Sequence, residues 1–160
     1  MTVSITCTNK TILVSNIDRD LQSEKWLVNN RGYVVGSPDG RYPFQRQHRI
    51  IMARVLGREL TRQELVDHIN LDPLDNRRDN LRLATNSENL FNRGIPAHNT
   101  TGYKGVYRNS AACKQPFQAA ITFNYRKFYL GSYDTAEDAA RAYNRAARDL
   151  AGEFARGNQL

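Results

Sequence analysis

The sequence predicts an α+β chain built from two modules, and three observations carry that reading. Residues 104–133 hold three strand-like runs, and residues 134–152 follow with one long helical pattern. Residues 1–95 instead mix short strand and short helix patterns. Between them "GIPAHNTTG" (94–102) is rich in Gly, Pro, Asn and Thr and has little to bury. It reads as a linker and places the modules at 1–95 and 102–160, joined by 96–101.

The elements follow in order. "TILVS" (11–15) reads as a short strand, and "IDRDLQSEKW" (17–26) as a turn or one short helix. "WLVNNRGYVVG" reads as a hairpin with Asn30, Arg31 and Gly32 near its turn. "RQHRIIMARVLG" (46–57) reads as a helix closed by Gly57. "TRQE" (61–64) is a capping-box pattern and predicts one helical turn before "LVDHI". "NLRLA" (80–84) reads as a strand. Thr85, Asn86 and Ser87 are good helix caps, so a short helix is expected to run from them to Gly94. In the second module "KGVYR" (104–108), "FQAAITF" (117–123) and "RKFYLGSY" (126–133) are strands, the last two joined tightly at Asn124 and Tyr125. The closing helix has a Thr135/Asp138 capping box, acids in its first turn and Arg148 near its last. Ala136, Ala139, Ala140, Tyr143, Ala146, Ala147 and Leu150 recur at helical spacing, small enough for the helix to lie close to a sheet.

Composition narrows the function classes. At 40% hydrophobic residues over 160, the chain is globular. No apolar run approaches the roughly 20 residues that cross a membrane, and "MTVSITCTNK" does not read as a secretory signal. Cys7 and Cys113 form no CxxC pair, which argues against a zinc ribbon or a disulfide framework. A reducing cytoplasm is the expected compartment. The net charge is +7, and residues 102–133 hold five basic residues and no acid. That local field favours a polyanion; a solvated basic surface is the alternative.

"VDHINLDPLDNRRDNLRLATNSENLFNR" (66–93) places a histidine directly after an aspartate and then spaces six asparagines. Hydrolysis of a phosphodiester requires an attacking water, a group to take its proton, and a cation near the phosphate and leaving oxygens. Histidine suits the proton, with an ordinary pKa of about 6.5. A carboxylate and an amide oxygen suit a hard cation. Neighbouring strand residues face opposite sides, so Asp67 and His68 can share a site only at a strand end. Asn80 can brace the loop after His68, and Asn89, one turn into a helix, can complete the set. A calcium loop at "DPLDN" is disfavoured, because the sharp-turn glycine and closing glutamate are missing.

This run resembles the HNH motif of phage and intron-borne homing endonucleases, and "LVNNRGYVVG…RQHRIIMARVLG" resembles the part that precedes it. The resemblance implies a ββα-metal module with His68 as general base, oriented by Asn80, and Asp67 and Asn89 as metal ligands. It also implies one divalent ion, Mg²⁺ first and Mn²⁺ second. Arg77, Arg78 and Arg93 are candidates to contact phosphate or the transition state, or are surface charges. His48 is read as a packing or phosphate-contact residue and His98 as unremarkable. One departure is Leu71, where the family commonly has glycine. A positive-φ turn suits leucine poorly, so the loop either takes another shape or marks a weakened site.

Residues 102–133 also hold eight of the chain's fifteen aromatics. Strand alternation turns Phe117, Ala119, Ile121, Phe123, Phe128, Leu130 and Val106 inward. It turns Gln118, Ala120, Thr122, Lys127, Tyr129 and Tyr107 outward, giving a cationic, partly aromatic face that fits a major groove. "TGYKGVYR…FQAAITF…RKFYLGSYDTAEDAARAYNRAARDLAGEFARGN" resembles the Apetala/ethylene-response-factor DNA-binding domain. The matching positions that resemblance implies for DNA are Lys104, Tyr107, Arg108, Asn109, Ala120, Thr122, Lys127 and Tyr129.

The expected function is a monomeric, metal-dependent HNH endonuclease acting on double-stranded DNA. It would nick at a directed site, as a homing or mobile-element enzyme encoded by a phage and working in a bacterial cytoplasm, with no membrane and no small-molecule substrate. Its rivals are a DNA-binding regulator with a vestigial nuclease half and a binder of structured RNA.

Overall fold

The computed structural model describes residues 1–7, 9–36, 45–111 and 113–160. The chain divides into two compact units, Met1–Thr85 and Asn86–Leu160. The division falls before the composition-based linker, so the helix after Thr85 belongs to the second unit.

The first unit opens with β1 (Thr2–Cys7) and β2 (Lys10–Ser15), an antiparallel pair in register from Thr2↔Ser15 to Cys7↔Lys10. Ile12 and Val14, two residues apart on β2, are fully buried. A 3-10 segment, Asn16–Ser23, leads to β3 (Trp26–Val28), β4 (Val34–Gly36) and β5 (Gln45–Arg46), a second small antiparallel sheet. The β3–β4 turn is organised by Asn29, whose side-chain oxygen accepts from the backbone N–H of Arg31 and Tyr33. Helix α1 (Gln47–Leu56) ends at Gly57, which takes φ 66° as a left-handed cap. Its Ile51 and Met52 join Ile5, Ile12, Val14, Leu21, Trp26, Val34 and Leu81 in one core.

The helical turn expected at "TRQE" does not form among the described residues. Half of the capping box exists, since Thr61 N–H donates to Glu64 Oε2 at 2.8 Å. Glu64, however, is also gripped by both terminal nitrogens of Arg58. Arg49 donates to the carbonyls of Thr61 and Glu64 at 2.8 and 2.6 Å, so a side chain satisfies the carbonyls a helix would have used. The chain then enters β6 (Leu65–His68), which pairs antiparallel with β7 (Leu81–Ala84); Asp67 stands opposite Arg82 and His68 opposite Leu81. A 3-10 turn, Arg78–Asn80, delivers the chain into β7.

The second unit begins with α2 (Asn86–Asn92), whose Phe91 is buried with Ile121, Tyr143 and Ala147. Then come β8 (Val106–Arg108), β9 (Phe117–Phe123) and β10 (Arg126–Tyr133), antiparallel in the order β10-β9-β8. Asn124 and Tyr125 take φ 47° and 63°, as a two-residue hairpin turn between twisted strands requires. Helix α3 (Ala136–Ala151) starts at Thr135, which accepts from Asp138 N–H at 3.1 Å. Its Ala139, Ala140, Tyr143 and Ala147 are buried. The close approach is possible at Gly105, φ 74°, where a β-carbon would stand 2.0 Å from the Tyr143 ring. Val106, Ala119 and Ile121 are buried on the inner face as expected. Phe128, expected inward, is 44% exposed. It sits on the edge strand beside the hairpin turn, where one flank has no neighbouring strand. No helix among the described residues is long and apolar enough to cross a membrane.

Candidate active site and nucleic-acid interface

His68 closes β6, where the strand gives way to a loop, and it is buried. Its Nε2 lies 2.9 Å from Asn76 Oδ1. The rings of His48 and Tyr33 flank it, with centroids 5.0 and 6.2 Å away. Burial holds the His68 pKa below its usual 6.5, although the Asn76 contact and the carboxylates of Asp67, Asp72 and Asp75 pull it upward. Burial therefore favours the neutral form of the ring. Burial and the neighbouring His68 push His48 further, to about 3.

Asp67 is buried beside Arg82, its partner across the strand pair, with Nε and a terminal nitrogen each 3.0 Å from Oδ2. The loop between β6 and β7 is tied internally by asparagines and aspartates, which close turns through their side chains. Asn80 Oδ1 accepts from Asn70 N–H at 3.0 Å, and Asn80 Nδ2 donates to Asn70 Oδ1 and to the Asp75 carbonyl. The carbonyl of Asn80 accepts from Ile69 N–H at 3.0 Å. Asn80 thus braces the loop next to His68, while the side chain bonded to the ring is Asn76. Sequence reasoning missed Asn76; the available signal was its place in the asparagine series, and only tertiary contact separates it from the others.

Leu71 adopts φ 68°, so the loop keeps the glycine-like turn and the leucine bears the strain. Arg77 grips Asp75 through two nitrogens at 2.8 and 2.6 Å. Arg78 does the same to the fully buried Asp18 at 2.7 and 2.8 Å. Both arginines neutralise acids of the first unit, so their charges are already engaged.

In the second unit Asn89 is half-buried on α2, and Arg93 follows that helix, exposed. The outward side chains of the sheet share one face by register: Tyr107 opposite Gln118, Tyr129 opposite Ala120 and Lys127 opposite Thr122. Tyr107 and Tyr129 are exposed, and Lys127 Nζ lies 5.0 Å from the Tyr107 ring centre. Arg108 stacks on Phe117 at 5.2 Å. Asn109 is tied to the Gln115 carbonyl and to Ser132. Ala120 is buried. Lys104 departs from the expected outer face: its amine donates to the carbonyls of Leu90, Phe91 and Arg93 at 3.2, 2.6 and 3.0 Å, closing the C-terminal end of α2. Burial, with Arg156 and Arg93 nearby, brings its pKa down to about 8.

A sequence model of the HNH endonucleases matches residues 46–90, the segment from β5 through β6 and β7 into α2. An uncharacterized HNH endonuclease of Acanthamoeba polyphaga mimivirus is 31% identical over 136 residues, covering 85% of this chain and 67% of the relative. The chain belongs to the HNH endonuclease family. Protein 3.8 of Escherichia phage T7 is 36% identical over 91 residues, 57% of this chain and 73% of that protein. No solved structure matches the chain. Membership of the HNH family makes nucleic acid the implied substrate class and a nuclease the implied activity.

Proposed function

We propose that this HNH protein is a divalent-metal-dependent endonuclease that hydrolyses phosphodiester bonds of double-stranded DNA. The observation that carries the proposal is His68, a buried histidine at the end of β6 beside Asp67, inside the segment matched by the family, where burial favours the neutral ring. A neutral imidazole can accept a proton from water. In the proposed reaction the water oxygen bonds to phosphorus, its proton passes to His68, and the bond to the leaving oxygen breaks. Asn80 holds the loop that follows His68 in place.

Among the described residues no three His, Cys, Asp or Glu side chains converge as a metal cage. The resemblance to the family motif makes Asp67 and Asn89 the candidate ligands, and a carboxylate and an amide oxygen are donor types that would suit Mg²⁺ or Mn²⁺. Such an ion would supply positive charge for the phosphate and the leaving oxygen. Arg82 competes for Asp67 and must share it.

The second module, residues 102–160 after the linker 96–101, positions the DNA, through an Apetala/ethylene-response-factor-like use of its sheet. Tyr107, Thr122, Lys127 and Tyr129 present the contact face, with Arg108 and Asn109 at its margin. Arg93 remains the candidate phosphate contact; Arg77 is engaged by Asp75 and Arg78 by Asp18. One constellation of this kind cuts one strand, so a monomer nicks, as suits a phage-borne homing or mobile-element enzyme in a host cell. Leu71 holds the glycine-like turn at a cost in strain, so the plasmid assay, not the loop, separates an active nuclease from a vestigial one.

A supercoiled-plasmid assay tests the reading. Mg²⁺-dependent conversion to open circle is expected, with a loss of about 100-fold or more in His68→Ala, the usual range for a general base. Tight DNA binding with no cutting by the unaltered chain would support the regulator. Preference for structured RNA over duplex DNA in competition would overturn the substrate assignment.

A further inference from the structure

The first unit contains a short chain of buried amides that ends on the His68 ring. Gln47, the first residue of α1, and Asn76, in the β6–β7 loop, are both fully buried. Asn76 Nδ2 donates to Gln47 Oε1 at 2.8 Å, and Asn76 Oδ1 lies 2.9 Å from His68 Nε2. We propose that Asn76, backed by Gln47, is a positioning residue that makes Nε2 the hydrogen-bearing nitrogen of the His68 ring and leaves Nδ1 as its acceptor. The proposal rests on the reading of His68 as the base.

The argument is one of donor and acceptor matching. A carboxamide has one donating end and one accepting end. The Gln47 carbonyl engages the donating end of Asn76, so only an acceptor faces His68. The ring nitrogen opposite an acceptor must hold the hydrogen, and a neutral imidazole holds only one. The amide cannot drift away from this task, because its backbone is clipped to β2. Asn76 N–H donates to the Leu13 carbonyl at 2.8 Å, and Leu13 N–H donates to the Leu74 carbonyl at 2.9 Å. The ring cannot readily turn either, since His48 meets it edge-on at 78° and Tyr33 covers another side.

Gln47 supplies an independent sign. Its Nε2 is buried and has no partner among the described residues. An orphaned buried donor costs about 1–3 kcal/mol, which an apolar residue at this helix start would avoid. Its carbonyl is the part with a task, and that task is to orient Asn76. Asn80, which the sequence reading casts as the orienter, bonds the loop and not the ring.

The test reads ring nitrogens directly. The full-length chain with ¹⁵N-labelled histidine is examined by NMR at pH 8, together with Asn76→Asp, Asn76→Leu and Gln47→Leu, and each protein is assayed for nicking over a range of plasmid concentrations up to saturation. His68 in the unaltered protein is expected to be protonated at Nε2, and Asn76→Asp, which keeps an acceptor toward the ring, should preserve that form. Asn76→Leu and Gln47→Leu should each give a mixture of tautomers and a fall in kcat of about tenfold or more, with KM little changed. A His68 protonated at Nδ1 in the unaltered protein, as reversed amides would produce, overturns the proposal whether or not any variant folds. An unchanged tautomer in a folded Asn76→Leu or Gln47→Leu overturns it too. Mixed tautomers with full nicking would leave the positioning intact and remove His68 from the role of base.

Discussion

Leu71 occupies a backbone conformation that costs an L-residue about 1–2 kcal/mol, against roughly 0.5–1 kcal/mol for the extra chain entropy of glycine. At φ 68° the balance favours glycine, so Leu71→Gly should raise stability by about 0.5–1 kcal/mol, read by thermal or denaturant unfolding. A loss of stability would mean that the leucine side chain contributes packing outweighing the strain. His68 sets the pH response of the proposed reaction. Burial favours its neutral form, so its folded pKa lies below 6.5 and the basic form is populated from neutral pH upward. Nicking at constant metal should therefore be flat above about pH 7 and fall on the acid side, with the half-point below 6.5. A half-point above 6.5, or no acid limb down to pH 5, would count against His68. Residue types and order were legible here, Asp67-His68 and the asparagine series above all. Which asparagine meets the ring was not, because Asn76 and Asn80 differ only in what the folded loop sets beside them.

Elements with strong local signals formed where the pattern placed them. The α3 capping box, the Gly57 stop and the Asn124-Tyr125 turn all depend on neighbours within a few residues. The failures are elements decided by distant partners. β1 is the exception: "TVSITC" alternates polar and apolar residues throughout, so this strand was legible in the sequence, and it pairs along its whole length with β2. The "TRQE" turn lost its helix to Arg49 and Arg58, which come from outside the turn. Helix α2 is the sharpest case. At seven residues it is too short to be stable alone. Phe91 and the Lys104 amine fasten it within the second unit. Lys104→Met removes three hydrogen bonds at the C-terminal end of α2 and should cost about 1–3 kcal/mol, seen as a lower unfolding midpoint. Because the amine points into the protein, the same variant should leave the salt dependence of DNA binding unchanged.

For the whole molecule, charge is the feature that reaches furthest. Five basic residues of 102–133 face no acid in sequence, yet one of them, Lys104, is spent on carbonyls. Arg108, Lys114, Arg126 and Lys127 remain exposed. Four phosphate contacts give a slope of log affinity against log salt of about −3.6, where five would give about −4.5. Titrating duplex binding from low to moderate salt distinguishes these values, and a slope near zero would remove the sheet as the binding surface.

The sequence by itself determined the family-bearing motif, the strand and helix periodicities and the basic character of the C-terminal half, because spacing, caps and charge are properties of neighbouring residues. Tertiary structure alone decided which amide touches His68, which arginines stay available and on which side of Lys104 its charge is used. Those outcomes depend on residues such as Gln47, Asp18 and Leu90, brought in by chain segments that no local pattern connects. A hydrogen bond is won by whichever partner the fold brings within about 3 Å.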